Sequence, residues 1–209
     1  MAIELLHVDC MDYMKALEDG AFDLAIVDPP YNLQRFRGGI GKNDRLTVKT
    51  KSTLWNNNAP TDDYFTELQR VSNNQIVWGA NNFRMPPTEY FCIWDKRQTV
   101  DNFATAEYAW VSRGLKKPAK IFVYSIHQHN ADGGKIHPTQ KPVKLYDWLL
   151  SNYAEKGQRI LDTHLGSGSS AIAAHYYGVD FVGCELDADY YRAAKERFIQ
   201  STRQTQLFE

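Results

Sequence analysis

Four consecutive residues, Asp28-Pro29-Pro30-Tyr31, follow an apolar run at Leu24–Val27. The run reads as a buried strand, and a proline pair cannot continue a ladder, because each ring fixes φ and removes a donor. The chain must leave the sheet there, at the carboxyl edge where open α/β sheets bind ligands. It then presents a carboxylate, a proline carbonyl without a competing neighbouring amide, and an aromatic ring. An exocyclic aromatic amine needs those parts in order to react. Its nitrogen is planar because the lone pair is delocalised into the ring. Two acceptors, the Asp28 carboxylate and the Pro29 carbonyl, can each take one amine hydrogen and favour a tetrahedral nitrogen. The lone pair then points at an electrophilic carbon, and positioning supplies much of the rate. Tyr31 can stack on a base rotated out of its duplex, offsetting roughly a few kcal/mol of unstacking.

A second constellation lies at Gly166-Ser167-Gly168, between a strand at Arg159–Leu161 and an Ala-rich helix at Ser169–Tyr177. Glycines after a strand let the backbone approach a ligand, and the helix N-terminus that follows attracts anionic groups. Asp162 ends the first strand, and Glu185 ends the next, 23 residues later. An acid there can accept both hydroxyls of a ribose. The spacing fits a nucleoside cofactor and does not separate a nicotinamide dinucleotide from S-adenosylmethionine (SAM).

The elements that must position these residues alternate between short β-rich runs and helical patterns, which predicts an α/β sheet. Strands are expected at Leu5–Val8, Phe22–Val27, Gln75–Trp78, Tyr90–Trp94, Glu107–Val111, Ile121–Tyr124, Arg159–Leu161 and Phe181–Cys184. Helices are expected near Met11–Leu17, at Asp63–Val71 with Thr61 or Asp62 as N-cap, from Pro142 towards Gly157, at Ser169–Tyr177, and at Tyr190–Phe198. Residues 31–60 and 113–141 are expected to form long loops. His127-Gln128-His129 alternates as a strand or loop would, and the histidines lack metal-ligand spacing. The expected organisation is one domain over 1–200 with a tail at 201–209.

Composition narrows the class. A chain of 209 residues holds one well-cored domain. Cys10, Cys92 and Cys184 are far apart and without a CxxC partner, so buried thiols are expected rather than disulfides or zinc. None follows a proline, which disfavours cytosine-C5 chemistry. No apolar run is long enough to span a bilayer and the N-terminus lacks a signal-peptide pattern, so a cytoplasmic protein is expected. The net charge of -1 divides unevenly. Residues 31–52 carry Arg35, Arg37, Lys42, Arg45, Lys49 and Lys51 against Asp44, a net +5. Residues 113–141 carry Arg113, Lys116, Lys117, Lys120, Lys135 and Lys141 against Asp132, again +5, which leaves -11 for the rest. Two basic segments on an acidic body suggest a face for a polyanion.

Taken together, the motifs resemble the circularly permuted (beta-class) DNA amino-methyltransferases, in which the catalytic motif precedes the SAM motif. Asp28-Pro29-Pro30-Tyr31 matches the catalytic motif. The segment Leu161-Asp162-Thr163-His164-Leu165-Gly166-Ser167-Gly168-Ser169-Ser170 is similar to the SAM loop, and Gly183-Cys184-Glu185-Leu186-Asp187 to the segment with the ribose acid. His137-Pro138-Thr139-Gln140-Lys141-Pro142 resembles the motif that helps hold the methionine part, through Thr139 and Lys141. Asp9, with Cys10 beside it, aligns with an acid that contacts the cofactor's adenine. The resemblance implies a Rossmann-like, mostly parallel, seven-stranded sheet. It also implies SAM as cofactor, duplex DNA as substrate and a homodimer. Thr163-His164 stands where the family usually carries Pro-Phe. Asp rather than Ser before Pro-Pro-Tyr resembles the adenine-N6 enzymes, with cytosine-N4, RNA and protein-amide methylation as alternatives. The basic segments become candidate DNA contacts, and Asn56, Asn57 and Asn58 candidate readers of adenine edges. The tail residues Gln204–Phe208 resemble a peptide that docks on the bacterial sliding clamp.

Overall fold

The computed structural model describes residues 1–31, 59–101, 103–131 and 134–203. The basic segment 32–58, with its three asparagines, and the clamp-like tail at 204–209 lie outside the described residues. Strand β1 (Ile3–His7) leads to helix α1 (Cys10–Lys15), whose N-cap Asp9 accepts the Met11 amide at 2.7 Å. There follow β2 (Phe22–Val27), α2 (Asp62–Val71), β3 (Ser72–Trp78), β4 (Phe91–Asp95), β5 (Ala106–Val111) and β6 (Lys120–Val123). The chain continues through α3 (Ile126–Ala131), α4 (Val143–Tyr153), β7 (Arg159–Asp162), α5 (Ser169–Tyr177), β8 (Asp180–Glu185) and α6 (Ala188–Arg203).

All eight strands join one sheet in the order β1-β8-β7-β2-β3-β5-β4-β6. Pairings are parallel except that β5 runs antiparallel to both β3 and β4. Both faces of the central strands are covered, which explains their unbroken apolar runs. Leu24, Ile26, Ile76 and Trp78 pack with Leu145 and Leu149 of α4 and Ala173 and Ala174 of α5. Ala25, Val27 and Val77 pack with Met14 of α1 and Phe65 and Leu68 of α2.

The topology places the two sequence motifs side by side. From β7 the chain crosses through α5 to β8, while from β2 it crosses through α2 to β3 in the opposite direction. Between them β7 and β2 are parallel neighbours, with Leu24 opposite Ile160 and Ala25 opposite Leu161. Strand order reverses at that point, and in such sheets the crevice outside the carboxyl ends is where ligands bind. Strand β1 completes the same half from the other end of the chain, pairing with β8 at the sheet edge. The order therefore brings β1 and the β7–α5–β8 unit into one half of the sheet.

Several expectations change. Among the described residues the sheet has eight strands, not seven, and β6, paired there only with β4, is among the eight that the apolar patterning marked. His127-Gln128-His129 lies in helix α3, where the His129 ring bonds the Gln140 carbonyl at 2.8 Å. Segment 113–141 is no long loop, since it holds β6, α3 and a short turn of 3-10 helix at Arg113–Leu115. Thr61 is the N-cap of α2, through extended backbone rather than a side-chain bond. Pro142 caps α4 from outside, and α4 ends at Tyr153, before Gly157. Helix α6 runs to Arg203, into the segment expected as tail.

Candidate active site

A cavity of ≈ 340 Å³ opens outside the carboxyl ends of β2, β7 and β8, within the size range of small-molecule sites. At one end stand Asp28, Pro29, Pro30 and Tyr31; at the other, Glu185 and Leu186. The two motifs, far apart in sequence, line one continuous space.

At the first end, Asp28 is anchored through one oxygen. The ammonium of Lys141 lies 2.5 Å from Asp28 Oδ2 and 3.1 Å from Glu107 Oε2. Only 3% of the Lys141 side chain is exposed, so one buried cation serves two carboxylates. Glu107 also pairs with Lys96. Burial alone would depress Lys141, but Asp28 and Glu107 outweigh it and hold the group well above the ordinary lysine range. Burial alone would raise Glu107, but Lys141 and Lys96 hold it down at about 2. Asp28 goes the other way: burial pushes its carboxyl up, and Lys141 only partly opposes this. The reason is visible in its second oxygen, Oδ1, which is buried and has no hydrogen-bond partner among the described residues. An orphaned buried acceptor calls for a donor. Two N–H groups arriving on an aromatic amine supply one.

Tyr31 is set by backbone. Its ring lies against Gly79, where an added Cβ would sit 2.9 Å from Cδ1 and Cε1. Gly79 has φ +66°, the left-handed conformation glycine adopts without strain. Only a residue without a side chain allows that approach.

At the second end, Glu185 is 7% exposed. Its Oε2 accepts the Gly166 amide at 2.8 Å and its Oε1 the Asp187 amide at 2.9 Å. Each oxygen keeps a lone pair for a ligand hydroxyl. Burial dominates these bonds and pushes the carboxyl up to about 7. Gly166 and Gly168 take φ +52° and +72°, forming the turn that starts α5. Arg197 of α6 braces this turn, donating to the Ser167 carbonyl at 2.8 Å and to Ser169 Oγ at 2.9 Å. Ser169 Oγ in turn donates to the Lys141 carbonyl at 2.8 Å. The turn and the anchoring lysine are thus tied together.

Of the residues singled out from sequence, Asp9, Cys10, Asp28, Pro29, Pro30 and Tyr31 line the cavity. So do Thr139, Lys141, His164, Leu165, Gly166, Ser167, Glu185 and Leu186. Asp162 and Gly168 stand behind this wall. Asp162 is 1% exposed and accepts Ser170 Oγ at 2.6 Å and the His164 amide at 3.0 Å; burial raises it to about 6. Gly168 backs onto Ala194. Cys10 is no thiolate, since burial pushes it up to about 12. Lys141 faces Asp28 and Glu107, so its basic charge is spent inside the protein and adds nothing to a phosphate-binding face. Sequence reasoning missed Glu107 as a site residue, because an acid within a strand carries no mark of its partner. It also missed Tyr64, and it marked Thr163 and His137 only as members of their motifs; all three line the wall. His137 contacts Thr139 at 3.2 Å, and burial lowers it to about 4.

Comparison with known proteins agrees with this geometry. The N6/N4 DNA methylase family model matches residues 93–196. The type II methyltransferase M2.DpnII of Streptococcus pneumoniae is 22% identical over 92% of this chain and 88% of its own. M2.MboI of Moraxella bovis is 24% identical over 93% of this chain and 86% of its own. The crystal structure of the M1.HpyAVI–SAM complex shares the fold, with a TM-score of 0.62 at 18% identity, over 93% of this chain and 98% of that one. With both motifs converging on one cavity at the switch point, this chain resembles the N6/N4 DNA methylases in sequence, fold and site.

Proposed function

We propose that this chain transfers a methyl group from SAM to the N6 amine of an adenine rotated out of duplex DNA, at a specific site. The observation that carries the reading is the asymmetry of Asp28, with Oδ2 held by Lys141 and Oδ1 buried and unpartnered. SAM supplies an electrophilic methyl on a sulfonium. Glu185 would hold the ribose hydroxyls, Asp9 and Leu186 the adenine, and Ser167 and Thr139 the methionine part; all five line the cavity. Asp28 Oδ1 and the Pro29 carbonyl each accept one hydrogen of the target amine. Conjugation with the ring is broken, and the lone pair is aimed into the cavity. Lys141 fixes the carboxylate plane, and Glu107 fixes Lys141. Asp28, raised by burial, then takes the proton that the methylated nitrogen sheds. Tyr31, backed by Gly79, stacks on the rotated base. His164 belongs to the cofactor wall.

Asp28 ahead of Pro-Pro-Tyr favours adenine over cytosine. Labelled SAM incubated with duplex DNA, RNA and protein, followed by digestion of the DNA to nucleosides, tests the assignment. N6-methyladenine is expected. N4-methylcytosine, or label only in RNA or protein, would overturn it. Asp28→Ala is expected to abolish incorporation while calorimetry still detects SAM binding; full turnover would end the mechanism.

The domain over 1–200, a homodimer that enlarges the DNA-binding face, and clamp docking through residues 204–208 belong to the same proposal. Sedimentation and a clamp pull-down with residues 204–209 deleted test the last two. Among the described residues no helix is long and apolar enough to cross a membrane. A cytoplasmic location is proposed from the DNA substrate.

A further inference from the structure

Thr163-His164 replaces the Pro-Phe of the resembled loop, and the structure gives the pair a defined polarity. Tyr64 is 3% exposed, and its hydroxyl lies 2.6 Å from Thr163 Oγ1, its only hydrogen-bond partner among the described residues. A buried phenol with one partner must donate to it, because accepting would leave its own O–H unsatisfied. Thr163 has one hydroxyl hydrogen, and its oxygen's remaining neighbour is His164 Nδ1 at 2.9 Å. That hydrogen therefore points at Nδ1, making Nδ1 an acceptor. In a neutral imidazole the proton must then sit on Nε2. Burial lowers His164 to about 4, with Asp9 opposing, so the ring is neutral at ordinary pH. His164 lines the cavity together with Asp9, and among the described residues its ring makes no other hydrogen bond.

We infer that the Tyr64–Thr163–His164 relay locks His164 as the Nε2–H tautomer, and that this N–H donates a hydrogen bond to an acceptor atom on the nucleoside half of SAM. A phenylalanine at this position could offer only packing. The inference rests on reading the cavity as the SAM site. It assigns the histidine a recognition role that complements Asp9 and Glu185, which accept hydrogens while His164 donates one. Tyr64 and Thr163 are positioning residues that act through its tautomer.

The test combines nitrogen-15 NMR of the histidines with calorimetric titration of SAM and S-adenosylhomocysteine into the full-length protein. The free wild-type protein is expected to show His164 protonated on Nε2, with that resonance moving on SAM binding. His164→Phe is expected to bind both ligands about tenfold more weakly. His164→Gln, which keeps an N–H donor, is expected to recover most of the loss. In Tyr64→Phe with Thr163→Val the tautomer preference should relax, and thermal melts would establish that each variant is folded. An Nδ1–H tautomer in the free protein, or unchanged binding by folded His164→Phe, would overturn the inference while leaving the SAM site intact. A wild-type protein that binds no SAM would overturn the proposed function itself, and this inference with it.

Discussion

Asp28 and Glu107 meet across one ammonium, that of Lys141, at 2.5 Å and 3.1 Å. The lysine comes from a segment whose sequence points to the cofactor, yet its charge is directed at the Asp28 carboxylate. One buried cation thus couples the two halves of the site.

Removing that cation should separate chemistry from cofactor binding. Lys141→Met leaves Asp28 buried without a partner and Glu107 with Lys96 alone, and breaking such a buried pair costs about 3–5 kcal/mol. The melting temperature should fall and methylation drop by about 100-fold or more. SAM affinity should change far less. Calorimetry beside a filter-binding methylation assay measures both; normal turnover in Lys141→Met would show that Asp28 needs no anchor.

Gly79→Ala tests the placement of Tyr31. The added methyl meets the ring at 2.9 Å and puts alanine at φ +66°. Strain of this kind costs about 1–3 kcal/mol. The expected signature is a raised KM for DNA with an unchanged Kd for SAM. Steady-state kinetics with DNA as the varied substrate would detect it.

Glu185 should make cofactor binding depend on pH. Its carboxyl, raised to about 7, binds a proton in the folded protein over a range where the unfolded chain has already lost it. Its contribution to the stability of the free protein is therefore full below about 4.5 and is lost as pH rises through 7. SAM binding shows the opposite trend, because ribose hydroxyls need the ionised acceptor. Affinity should weaken as pH falls from about 8 to 6, approaching tenfold per unit below the pKa. Glu185→Gln should bind SAM weakly at every pH, with the slope gone.

Arg197 braces the cofactor turn from helix α6 through Ser167 and Ser169. Arg197→Met should weaken SAM binding by about tenfold, as loss of charge-assisted hydrogen bonds does. At saturating SAM, kcat should fall much less. Arg197→Lys should recover part of the affinity, and equal losses in kcat and binding would argue against a positioning role.

Local patterns made much of this legible. All eight strands were marked by apolar runs, and the β7–α5–β8 unit by its glycines and terminal acids. Asp28-Pro29-Pro30-Tyr31 stood out because a proline pair at a strand end has few purely structural explanations. Residues whose roles depend on distant partners were not legible. Glu107 looks like any acid in a strand until the antiparallel insertion of β5 between β3 and β4 carries it to Lys141. Asp162 was placed in the binding set by its position at a strand end, but Ser170 and the His164 amide turn it inward. The α3 helix escaped because a six-residue helix carries too short a period to read.

The edge position of β1 has a consequence for how this protein comes off the ribosome. Its hydrogen-bonded neighbour is β8, residues Asp180–Glu185. Strand β1 must wait for β8 before it can dock, and Asp9 cannot take its place beside Glu185 until then. A polypeptide halted before Asp180 would carry the entire catalytic motif with no assembled nucleoside wall. Methylation competence should therefore not precede the synthesis of β8.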